Sequence, residues 1–141
     1  MKQLNWICVV LLSSLLSVSV HAEWAVLGNN SVPKEFIDTK ELKRLFFGRI
    51  SQWEGGGPVK LCFVDDSTAL VEYLDEKTRY SKKRFLAYWN SRLFSGDYVA
   101  PKKFKTSEEL VDYVARTRGA LCITDPQYVP EGFSGKVIQI K

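Results

Sequence analysis

Histidine, methionine and cysteine are scarce in this chain. Of 141 residues, one is His (His21), one is Met (Met1) and three are Cys. No C-x-x-C spacing is present, which argues against a thiol–disulfide exchange motif. No long apolar run reaches the roughly 20 residues that a membrane-spanning helix needs. Repeats, low-complexity tracts and linkers long enough to separate two domains are also missing. None of the usual nucleic-acid recognition motifs occurs.

What is present at the N-terminus explains part of this scarcity. Lys2 is followed by an apolar stretch from Trp6 to Leu16 and then by "SVSVHA", with Val20 and Ala22 at small-residue positions. A basic start, a short apolar core and a small-residue exit form the pattern of a cleaved export signal. Residues 1–22 therefore read as a signal peptide and residues 23–141 as one domain, exported to the periplasm and not membrane-spanning after cleavage. Cleavage would remove Lys2 and His21, lowering the formal charge from +4 to +3. A domain without histidine has no Ser-His-Asp or Cys-His pair and no His-ligated metal. The carboxylates form no recognisable acid–base pair, so the sequence reads as non-enzymatic. Nothing in it calls for a cofactor, and export argues against a nucleic-acid partner.

Alternating elements follow along the domain. Trp24–Leu27 reads as a strand ending in Asn29, Asn30 and Ser31. Asp38 with Glu41 forms a capping box, and Leu42, Leu45 and Phe46 make one helical stripe that Gly48 terminates. "VKLCFV" (59–64) reads as a strand buried on both faces. A helix follows "DDST", with Leu70, Val71 and Leu74 on its inner side. Another is capped by Ser81, buries Phe85, Leu86, Trp89 and Leu93, and stops at Gly96. "YVAPKKFK" reads as a connection. Thr106 with Glu109 caps a fourth helix that buries Leu110, Val111 and Val114. "ALCITD" and "GKVIQIK" read as closing strands. This order predicts an α/β layer, with a mainly parallel sheet flanked by helices. Ligands of such sheets sit at the carboxyl ends of strands, which directs attention to Asn29–Ser31, Asp65–Thr68 and Thr124–Asp125.

Several segments carry a resemblance. "ELKRLFFGRISQW" resembles the L-x-x-I-F-x-G-x-x-x-x-W segment of periplasmic phosphate-binding proteins of ABC transporters. "VLGNNSVP" is similar to the strand and loop preceding that segment. "FLAYWNSRLFSGDYVAPKKFKTSEELVDYVARTRGALCIT" is similar to the family's YW…FTG…P…S…E…V…GAIGY tail. The resemblance implies a single type II periplasmic-binding-protein-like lobe. It also implies phosphate or a related small oxyanion as ligand, for uptake or sensing, and an ABC transporter or a periplasmic sensor as partner. The longer receptors of the family close two lobes over phosphate and hold it with a Ser-Gly-Ser/Thr-type loop at a helix N-terminus. The matching place here is "DDST", which keeps the hydroxyls of Ser67 and Thr68, lacks the glycine and adds two carboxylates. Trp53 and Gly48 read as a packing peg and a helix stop.

Each candidate residue has a second, simpler reading. Ser67 and Thr68 are either ligand hydroxyls or helix caps. Asn29 and Ser31 either line the far side of a cleft or form a turn. Lys82, Lys83 and Arg84, in the first turn of a helix, are either a solvated face or a docking patch for an acidic protein or anionic lipid. Cys62 and Cys122 occupy equivalent places in the two most apolar strands and are either bridged or two buried thiols. The alternative for the whole chain is a periplasmic protein-interaction module that has lost ligand binding.

Overall fold

The computed structural model describes residues 24–96 and 99–141, so the expected signal segment lies outside the described residues. Strand β1 is Ala25–Gly28, β2 Phe36–Ile37 and helix α1 Thr39–Phe46. Strand β3 is Lys60–Val64 and helix α2 is Thr68–Tyr73, continued by a π-helical turn over Leu74–Thr78. Helix α3 is Lys82–Leu93, β4 Lys102–Phe104 and α4 Ser107–Arg116. Strand β5 is Ala120–Thr124, followed by a 3₁₀ turn at Pro126–Tyr128 and by β6, Lys136–Ile140.

The strands form one six-stranded sheet in the order β2-β6-β1-β5-β3-β4. β4, β3 and β5 run parallel to one another, as do β2 and β6. β1 is antiparallel to both of its neighbours, β5 and β6. It is therefore the one strand that runs against the rest, and the mainly parallel α/β expectation holds.

Side-chain alternation sorts the core into two layers. From β3, Leu61 and Phe63 join one cluster while Cys62 and Val64 join the other. From β5, Leu121 and Ile123 join the first, and Ala120 and Cys122 the second. α1, α2 and α3 cover the first face with Leu42, Leu45, Phe46, Leu70, Tyr73, Phe85 and Trp89. α4 covers the second with Leu110, Val111 and Val114. Burial on both faces explains why β3 and β5 are almost continuously apolar.

The caps expected from sequence are made. Asp38 accepts from the Glu41 amide at 2.7 Å, Ser81 from Arg84 at 3.1 Å and Thr106 from Glu109 at 3.2 Å. The corner after α1 is a packing device. Gly48 adopts φ +68°, and a Cβ there would lie 2.6 Å from the Trp89 ring. Trp89 Nε1 donates to the Phe46 carbonyl at 3.1 Å, which satisfies an end-of-helix acceptor. Trp53 is buried and donates its Nε1 to the Gly119 carbonyl at 3.0 Å. Gly119 itself sits at φ +78°, where a Cβ would meet the Pro58 carbonyl oxygen at 2.3 Å. The aromatic corner thus pins the α4–β5 turn to the loop before β3.

Four expectations need correction. Val71 and Leu93 are 43% and 44% exposed: Val71 lies off the Ala69, Leu70 and Tyr73 face of its helix, and Leu93 is the last residue of a helix that buries Phe85 and Trp89. "YVAPKKFK" is more than a connection, since its Lys102–Phe104 segment is the edge strand β4. An edge strand with two lysines lacks the apolar alternation that marks an interior one. β2, only two residues long, was also missed as a strand.

Candidate functional site

The carboxyl ends of β3, β4 and β5 lie together at one edge of the sheet, as their common direction requires. There the first turns of α2 and α4 flank a cavity of about 340 Å³ lined by Ser67, Thr68, Lys105, Thr106, Asp66 and Asp125 among others. Ser67 Oγ accepts from the Leu70 amide at 3.1 Å, so it caps α2. A hydroxyl in that role keeps its proton free to donate. Ser67 is therefore a cap that also faces the cavity, and Thr68 lines it as an exposed first-turn residue. Thr106 stands in the corresponding position on α4. The first turns of α2 and α4 thus line one cavity, and helix starts favour an anion.

The charges at this place are mixed. Asp65 is not on the cavity lining. Its carboxylate lies 3.6 Å from Lys82 Nζ and 3.8 Å from Lys103 Nζ, and Lys82 also donates to the Asp65 carbonyl. One of the two adjacent aspartates is thereby neutralised by its own lysines. Asp66, Glu108 and Asp125 remain on the lining, against Lys105. Asp125 accepts from the amide and the side chain of Gln127, both at 3.0 Å.

Asn29 and Ser31 are elsewhere. β1 runs opposite to β5, so its carboxyl end pairs with the start of β5, Gly28 facing Leu121. Asn29 Nδ2 donates to the carbonyls of Val114 and Ala115 at 2.8 and 3.0 Å, and its Oδ1 accepts from the Ser31 amide. Ser31 Oγ accepts from the Gly119 amide at 2.8 Å. These residues tie the end of α4 to the β5 turn at the far edge of the sheet from Ser67. Of the two readings of these residues, their hydrogen bonds match the turn, and the direction of β1 sets them apart from Ser67.

The basic cluster divides. Lys82 is engaged by Asp65, whereas the Arg84 guanidinium lies 4.7 Å over the Tyr80 ring. Lys83 is exposed between them. Cys62 and Cys122 are in register on neighbouring strands, both buried and both with free thiols. Burial pushes the Cys62 thiol well above its ordinary range, and the adjacent Cys122 adds to this.

Sequence reasoning missed Lys105, Thr106 and Glu108 as neighbours of Ser67. The signal was there, a capping box directly after a strand, but it needed "KKF" to be recognised as β4.

No family model and no curated protein matches the chain. Solved structures do. A phosphate-bound protein from Clostridium perfringens, named as a phosphate ABC transporter substrate-binding protein, superposes with a TM-score of 0.65 at 15% identity. An ABC-type phosphate transport receptor from Vibrio cholerae gives 0.55 at 16%. A possible phosphate binding protein from Planctomyces limnophilus gives 0.59 at 18%. Each match covers 84% of this chain but only 44%, 46% and 41% of the other. The likeness establishes the fold, an α/β lobe of the kind these structures contain, and this chain spans less than half the length of the proteins it resembles. Among the described residues no helix is long and apolar enough to cross a membrane.

Proposed function

We propose that this chain is an exported, non-enzymatic solute-binding lobe that takes phosphate or a related small oxyanion at the strand-end cavity, for uptake or sensing in the periplasm. The supporting observation is the convergence of the capped starts of α2 and α4, with Ser67, Thr68, Thr106 and Lys105, on one cavity at the carboxyl edge of β3, β4 and β5. The phosphate-bound structural neighbour agrees with this choice of ligand. Carboxylates on the lining make the ligand a protonated one. Asp66, Glu108 and Asp125 repel a dianion but accept hydrogen bonds from the P–OH of a protonated phosphate. Binding is weak in one lobe alone, and an ABC transporter or a periplasmic sensor is the partner that would read it.

The same three carboxylates favour a second reading, a protein-interaction module whose cavity no longer holds an anion. Thermal unfolding with phosphate, sulfate and arsenate separates the two. A ligand at about 100 times its dissociation constant adds roughly 2.7 kcal/mol of stability. A phosphate-dependent rise in Tm that vanishes in the Ser67→Ala, Thr68→Ala variant supports the oxyanion site. No rise at millimolar phosphate supports the interaction module.

A further inference from the structure

A second cavity, of about 450 Å³, opens between α1 and the start of α3. Its lining carries Lys40, Lys43, Arg44 and Arg49, with Phe47, Tyr80 and Tyr88, and no carboxylate. None of these four cations forms an ion pair among the described residues. The nearest acid on α1, Glu41, is taken by Lys34 at 3.0 Å. Helix-dipole stabilisation accounts for Lys43 and Arg44 in the last turn of α1. It does not account for Lys40 in the first turn of α1, for Arg49 beyond the helix, or for Arg84 in the first turn of α3.

The backbone around this cavity is unusual in the same place. The π-helical turn Leu74–Thr78 ends at Arg79, which has φ 59° and is the one non-glycine residue at positive φ among the described residues. Thr78 fixes that turn, donating to the Leu74 carbonyl at 2.6 Å and accepting from the Tyr80 amide at 3.1 Å. The product is the placement of Tyr80. Its ring packs 4.8 Å from Phe47, and it carries Arg84 at 4.7 Å and Lys43 at 5.6 Å on its faces. Tyr88 donates its Oη to the Phe47 carbonyl at 2.6 Å. Aromatic faces thus hold cations around an apolar floor. π-helical turns and left-handed non-glycine residues concentrate where a side chain must be aimed for binding.

We propose that this groove binds a small phosphorylated polyanion, separately from the strand-end cavity. Its recognition chemistry is multiple charge-assisted hydrogen bonds from Lys and Arg to phosphate oxygens, with Tyr80 orienting Arg84 and Lys43. A dense polyanion relieves the mutual repulsion of the cations, so two linked phosphates should bind better than one.

Calorimetric titration of the purified protein with pyrophosphate, and with inorganic phosphate for comparison, tests this. The expected result is saturable pyrophosphate binding that weakens as salt rises. Affinity should fall about tenfold or more in Lys43→Gln, Arg44→Gln. It should be retained in Lys43→Arg and in the charge-matched control Lys77→Gln, Arg118→Gln, with an unchanged far-ultraviolet circular dichroism spectrum in each. Absence of pyrophosphate binding, or equal loss in the charge-matched control, would overturn the proposal. So would sedimentation of the protein with phosphatidylglycerol vesicles without any pyrophosphate signal, which would assign the groove to a lipid surface.

Discussion

The strand-end cavity and the α1–α3 groove have opposite electrostatics for opposite structural reasons. The first is made by topology: parallel strands deliver two helix starts to one edge, and hydroxyls cap them. Its lining sets Lys105 and two helix starts against three carboxylates. The second owes little to the sheet. It is made by side chains that surface helices present around Phe47, and its positive character is undiluted. The densest positive charge on the two linings is therefore away from the strand ends.

The largest effect that separates the two regions should come from Phe47→Ala. Phe47 is 4% exposed and packs against Tyr80, Phe85 and Tyr88. Its truncation should cost about 3–5 kcal/mol in a denaturant titration and abolish pyrophosphate binding. Among molecules still folded, the phosphate response of the strand-end cavity should survive. Asn29→Ala comes next, at about 2–3 kcal/mol, because it leaves the end of α4 without its partner. Since Asn29 lies at the opposite sheet edge, the phosphate-induced rise in Tm should persist in the variant. A loss of that response at full folding would return Asn29 to the ligand site.

Smaller effects sharpen the contrast. Ser67→Ala should cost about 1 kcal/mol through loss of the α2 cap, and should also remove phosphate binding while sparing the groove. Tyr73→Phe should do the reverse of a usual core change. Its Oη is buried without a hydrogen-bond partner among the described residues, so removing it should leave stability unchanged or raise it by about 1 kcal/mol. Burial also raises the Tyr73 phenol above its ordinary range. A group whose folded pKa is raised stabilises fully below its unfolded pKa, and that stability is lost as pH climbs beyond it. Alkaline unfolding should accordingly begin at higher pH in Tyr73→Phe than in the parent, which parallel pH–stability curves would show. Finally, both thiols should react after unfolding without reductant and neither before it. A chain that needs reductant to expose them would prove Cys62 and Cys122 bridged.

Much of the fold was legible because burial on two faces leaves a clear mark. β3 and β5 are apolar runs, α1 and α4 carry capping boxes, and Gly48 and Gly119 end their elements. The edge strand β4 was not, since one solvated side lets lysines replace the apolar alternation. The direction of β1 was not legible either. Four residues read alike in both directions, and only pairing with β5 and β6 shows which edge Asn29 faces. For the site, Ser67 and Thr68 could be placed beside the strand ends from local sequence. Thr106 and Lys105 depended on β4. The groove was the least visible, because its cations, Lys40 to Arg49, meet Tyr80 and Tyr88 only after the π-helical turn aims Tyr80 at Phe47.

Titrations at pH 6 and pH 8 of two variants, Lys43→Gln, Arg44→Gln with phosphate and Ser67→Ala, Thr68→Ala with pyrophosphate, test the contrast most directly. Phosphate gives up a proton near neutrality. With the groove disabled, the ligand meets Asp66, Glu108, Asp125 and Lys105, and binding should be tighter at pH 6. With the strand-end cavity disabled, pyrophosphate meets Lys40, Lys43, Arg44 and Arg49 beside Tyr80 and Tyr88, and its more highly charged form should bind more tightly at pH 8. Opposite slopes are the predicted result. Slopes of the same sign, or two variants that bind alike, would contradict the division of the molecule into two anion sites.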